Sequence, residues 1–170
     1  ANPTGVTIPP DVIRAFYQLA VEHDLALILD ETYRNFRSTD RAPHDLFGDD
    51  AWARTAISLH SFSKDLAIPG YRVGAVVAGS EVLYEALKLV DCIQISAPRI
   101  GQEAVLAGLR HARAWRREQS DRIARHQVVF EEVMASRPGG FALESAGAGQ
   151  RPLGRPDGLQ RPMDLDPPDA

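Results

Sequence analysis

The sequence predicts an α/β fold with a mostly parallel sheet. Three features point there. Short, strand-length apolar runs alternate with helix-period segments. The run Leu25–Leu29 (LALIL) is apolar at every position, the mark of a strand buried on both faces. Polar residues of chemical interest, Asp30 and Ser61, stand just past the ends of such runs, where ligands gather in sheets of this class.

Taken in order, a turn at Asn2-Pro3-Thr4-Gly5 precedes Pro9-Pro10, and Asp11 suits the positive end of a helix. Ile13, Phe16, Tyr17 and Ala20 follow helical spacing, so Asp11–His23 is predicted as a helix with those four on its buried face. The strand Leu25–Leu29 follows, then a polar loop over roughly Arg37–Asp50. Thr55–His60 reads as a second strand and Val73–Val77 as a third, separated by the loop Ser61–Tyr71. Ser80 is the expected N-cap of a helix through Val90, and another helix is expected after Pro98, through Val105 and Leu109. Ala112–Ala135 reads as a long amphipathic helix carrying Trp115, Ile123, Phe130 and Val133, and Gly140–Glu144 as a further strand.

With 170 residues, 44% apolar and 25% charged, the chain has the make-up of an ordinary soluble domain. Its net charge of −4 argues against a general nucleic-acid binder. A single Cys92 rules out an internal disulfide and suits a reducing compartment. No apolar run reaches membrane-spanning length, so a cytoplasmic location without membrane association is expected. From Gly147 the composition turns rich in Gly, Pro, Arg and Asp, and residues 147–170 are expected to be a disordered, aberrant tail. Together with a first residue that is not methionine, this suggests a fragment whose reading frame changes near Ala148.

The stretch Ser61-Phe62-Ser63-Lys64 admits three readings: a serine nucleophile activated by a lysine, a reactive lysine beside anion-binding groups, or a polar loop. The first needs a longer helix and companion motifs that the chain lacks, and Pro69-Gly70 stops a helix soon after Lys64. The five histidines show no zinc-ligand spacing, and no metal site is expected. Singly, Asn2, Asp30, Tyr33 and Arg72 are ordinary turn, cap, packing and surface residues. Arg34, Arg37 and Arg41 read as a solvated loop, and Arg110–Arg117 as the polar face of the long helix.

In combination, Asn2-Pro3-Thr4-Gly5, Asp30-x-x-Tyr33, Ser61-x-Ser63-Lys64 and Arg72 before Val73-Gly74 resemble the fold-type I pyridoxal-phosphate enzymes, and more narrowly the class I/II aminotransferases. The resemblance implies part of a three-layer large domain over residues 1–111, with an interdomain helix and the start of a small α/β domain over 112–146. It implies pyridoxal 5'-phosphate as cofactor and Lys64 as the catalytic residue, forming a Schiff base with the cofactor and moving a proton at the substrate Cα. Asp30 would keep the pyridine nitrogen protonated. Tyr33 and Asn2 would bond the phenolic oxygen. Ser61, Ser63 and Arg72 would bind the phosphate, with Gly70 letting the loop turn back.

Substrates implied are an amino acid and a 2-oxo acid, and the full-length family member is a homodimer. The family's upstream phosphate loop and ring-stacking aromatic, and its downstream carboxylate-binding arginine, have no counterpart assigned here. Arg151, Arg155 and Arg161 are given no such role, and the chain alone is expected to be weakly active or inactive. A lyase or decarboxylase on the same cofactor, or a non-catalytic aminotransferase-like effector domain, are the alternatives.

Overall fold

The structure is a computed structural model and describes residues 6–37 and 41–136. Asn2, the expected strand Gly140–Glu144 and the expected tail 147–170 lie outside those residues. Helix α1 spans Pro10–Glu22, with proline in its first turn. It ends in a Schellman-type turn: the Asp24 N–H donates to the Val21 carbonyl and the Leu25 N–H to the Ala20 carbonyl, while Asp24 takes a left-handed φ of 53°. That turn consumes Leu25, which the apolar run alone assigned to the strand, so β1 covers Leu27–Asp30. Of the predicted buried face, Tyr17 and Ala20 are buried and Ile13 packs partly on the core, but Phe16 is exposed.

Strand β2 covers Ala56–Ser61 and β3 covers Gly74–Val77, in the order β1-β2-β3. β1 and β2 are parallel, with Leu27 opposite Ala56 and Asp30 opposite Leu59. β3 runs antiparallel to β2, with Ser61 opposite Gly74 and Ser58 opposite Val77. The reversal has a plain cause. A parallel return needs a crossover of a dozen residues or more, usually through a full helix. Residues 62–73 hold only the single-turn helix α2 (Phe62–Asp65) and a 3₁₀ turn at Pro69–Tyr71. The α/β class is as expected, while the described sheet pairs one way on each side of β2.

Leu27 and Leu29 point to the side of α1, where Tyr17, Leu46 and Ala56 form the core with Ile13 and Trp52 against them. Three helices complete the described chain: α3 (Ser80–Gln94), α4 (Arg99–His111) and α5 (Arg113–Ala135). Gly79, not Ser80, is the N-cap of α3, and Ser80 is its first helical residue. Helix α4 lies against the β2–β3 connection. A Cβ on Gly101 would stand 2.5 Å from Val73 Cγ2 and 3.0 Å from the Tyr71 carbonyl oxygen, so this approach requires glycine. No residue of α5 is buried, and its expected apolar face (Trp115, Ile123, Phe130, Val133) is exposed.

Candidate functional site

Strand alternation decides which side chains share a face. On β1, Leu27 and Leu29 face the core, so Ile28 and Asp30 face the other way, and both are exposed. Asp30 is paired with Leu59, and Ser61 lies two residues further along β2 on the same face. Asp30 and Ser61 therefore end neighbouring parallel strands at the same edge and on the same side of the sheet. Ser61 is also the N-cap residue of α2, so Ser63 and Lys64 follow within one helical turn.

The loop that carries Lys64 is closed at its base. Ser61 pairs with Gly74, and the Phe62 N–H donates to the Val73 carbonyl at 3.3 Å. These links bring Ser61, Ser63, Lys64 and Arg72 onto one short connection. Arg72 itself makes the turn, in left-handed conformation with φ 53° and ψ 48°. Gly70, expected to do so, sits inside the 3₁₀ turn at ordinary φ. The Arg72 side chain donates from Nη1 to the Pro69 carbonyl at 3.0 Å. Lys64 is exposed and forms no ion pair among the described residues, and no hydrogen bond joins it to Ser61.

Asp30 is held locally. Its Oδ1 accepts from the Thr32 hydroxyl at 2.6 Å and from the Thr32 backbone N–H at 3.0 Å. These two bonds, the hydroxyl first, hold its carboxyl below the ordinary aspartate value, and slight desolvation only partly opposes them. Oδ2 is left without a hydrogen bond among the described residues. Tyr33 follows in the same turn, exposed, with its ring 6.1 Å from that of Phe36. Asn2 lies outside the described residues.

On the opposite face, beneath Asp30, sits a buried polar group that sequence reasoning missed. Ser58 is fully buried and donates its hydroxyl to Glu31 Oε2. With its one proton given there, Ser58 Oγ accepts from His60 Nε2 at 2.8 Å. His44 Nδ1 accepts the Leu46 N–H at 3.3 Å, which leaves the proton on Nε2, 3.5 Å from Glu31 Oε2. Arg34 approaches the same carboxylate at 3.7 Å. The available signal was parity: a glutamate directly after Asp30 must project into the core side, where only partners make it tolerable. This group ties the ends of β1 and β2 together and so fixes the edge where Asp30 and Ser61 stand.

The donor set fits a pyridoxal phosphate group by its chemistry. An ionised carboxylate with one free oxygen suits a protonated ring nitrogen, a phenol suits an oxyanion, an unpaired amine suits an aldehyde, and two hydroxyls and a guanidinium suit a phosphate. Among the described residues no cluster of three or more His, Cys, Asp or Glu side chains is arranged to hold a metal ion.

Fold and edge geometry together describe an α/β protein in which Asp30 and Ser61 end neighbouring strands and Lys64 follows in the next turn. The description of aminotransferase class I and II matches residues 1–150. An aspartate aminotransferase of Pyrococcus abyssi is 29% identical over 137 residues, 78% of this chain and 35% of that protein. An arginine–pyruvate transaminase of Pseudomonas aeruginosa is 30% identical over 159 residues, covering 92% of this chain and 37% of its own length. Among solved structures, an aromatic aminotransferase from Pyrococcus horikoshii superposes with a TM-score of 0.72 at 26% identity, covering 79% of this chain and 36% of that one. The chain belongs to the class I and II aminotransferase family. It spans little more than a third of the length of these relatives.

Proposed function

We propose that this chain is the lysine-bearing part of a pyridoxal-phosphate-dependent aminotransferase, which moves an amino group from an amino acid to a 2-oxo acid. The observation that carries this reading is the shared edge and face of Asp30 and Ser61, with Lys64 one helical turn on. Residues 1–111 would belong to the cofactor-binding domain, and 112–146 to the interdomain helix and the start of the small domain. The full-length enzyme would be a homodimer.

When bound, the cofactor supplies an aldehyde carbon and an electron-accepting ring. Asp30, kept ionised by Thr32, would face the ring nitrogen and favour its protonated form. Lys64 Nζ would supply the amine that meets the aldehyde and the base that moves a proton from the substrate Cα to the carbon on the far side of the linking nitrogen. Tyr33 and Asn2 donate to the phenolic oxygen. Ser61, Ser63 and Arg72 would hold the phosphate. A lyase or decarboxylase would use the same groups; the transaminases among the relatives favour amino transfer.

The test is direct. Pyridoxal phosphate is added to the purified chain, the adduct is reduced with borohydride, and the labelled lysine is mapped. Label concentrated on Lys64, absent from Lys64→Ala and weakened in Asp30→Asn, is the expected result. Label shared equally with Lys88 would sink the reading.

A further inference from the structure

Two sets of arginines that look like separate solvated surfaces in sequence meet in one cavity of about 300 Å³. Arg34, Arg37 and Arg41 come from the loop after β1, and Arg113, Arg116 and Arg117 from the first turns of α5. Asp121 is the one acidic residue lining it among the described residues. We infer that this cavity is an oxyanion-binding site, taking a ligand of at least two negative charges through phosphate or carboxylate oxygens.

Arg37 carries the argument. Its Nε and Nη1 are buried and have no hydrogen-bond partner among the described residues. A guanidinium cannot shed its charge, so buried donors of this kind need an acceptor. Nε and a terminal nitrogen together form the fork that matches two oxygens of one anion. The Ser120 hydroxyl, donating to the Arg37 carbonyl at 3.4 Å, ties the loop to α5.

Independent support comes from α5 itself. Its first turn holds no acidic residue, yet Arg113, Arg116 and Arg117 crowd the end where the helix dipole is positive. Asp65 relieves Arg116 at 3.1 Å, but Arg113 makes no ion pair among the described residues. An anion between loop and helix would offset both the unpaired guanidinium and the repulsion. The site is separate from the phosphate-binding role proposed for Arg72, which does not line the cavity.

Calorimetric titration of the full chain tests this, with inorganic pyrophosphate in one arm, succinate in a second, and sodium chloride of matched ionic strength as control. Saturable binding of either oxyanion is expected, weakened at least about tenfold in Arg37→Gln and in Arg113→Gln, and unchanged in Arg99→Gln, an exposed arginine of α4 outside the cavity. The tighter arm tells phosphate from carboxylate. Arg113 is exposed, so its variant reads binding without the risk that a buried change unfolds the chain. Heat no greater than the chloride control, or binding kept in Arg37→Gln and Arg113→Gln but lost in Arg72→Gln, which would move it to the proposed cofactor-phosphate groups, would overturn the proposal.

Discussion

Thr32 directs both its hydroxyl and its backbone N–H to one oxygen of Asp30, and this holds the carboxyl of a candidate site residue below its ordinary value. Thr32→Val removes the shorter of the two bonds. The Asp30 carboxyl is then expected to titrate closer to the ordinary aspartate value, as followed by NMR of its side-chain carbon. Because the native value is lowered, the stabilisation it brings is full above the unfolded value of about 4 and lost as pH falls through the native one. Thr32→Val should therefore flatten the acid side of the stability curve. An unchanged Asp30 titration would show that the hydroxyl has no hold on it. Ser58 makes a second case. Ser58→Ala leaves the buried Glu31 carboxylate short of its donor and should cost about 1–3 kcal/mol in urea unfolding; a loss near zero would mean water replaces the hydroxyl.

At the scale of elements, the packing of α4 on the lysine loop is the sensitive joint. Gly101→Ala brings a methyl into a branched Val73, stiff about χ1, and a carbonyl oxygen that has little room to withdraw. Overpacking costs about 1–3 kcal/mol, and alanine returns about 1 kcal/mol of helix propensity. A net loss of about 1 kcal/mol is expected by chemical denaturation; a gain would show that the loop yields freely. Element type was legible where the pattern was strong: every predicted helix and strand within the described residues exists, displaced by a residue or two. The boundaries moved for local reasons, such as the left-handed Asp24 that pulls Leu25 out of β1. The parallel β1–β2 pairing was as expected, but the direction of β3 was not legible, because residues 62–73 read as a loop of adequate length until the short elements inside them are known. The spacing of Asp30, Ser61, Lys64 and Arg72 was plain in the sequence. The Glu31–Ser58–His60–His44 group was not, since its members are scattered and only the β1–β2 register unites them.

Over the whole molecule, apolar surface is left uncovered on both the sheet and the helices. Ile28 is 61% exposed on the Asp30 face, and Ile93 of α3 is 83% exposed, while the core holds few large side chains. Large apolar side chains left this open are the raw material of a partner-binding surface. The isolated chain is expected to bind a hydrophobic dye strongly and to self-associate with rising concentration in sedimentation runs. Weak dye binding with a monomer at all concentrations would mean the faces close on each other in solution. Among the described residues no helix is long and apolar enough to cross a membrane.

The antiparallel return of β3 has a consequence for how the site comes apart. Ser61, Ser63, Lys64 and Arg72 are clamped by a staple between near neighbours in the chain, whereas Asp30 is joined to them only through the β1–β2 ladder. Warming should thus estrange the acid from the amine while the amine still keeps company with its guanidinium.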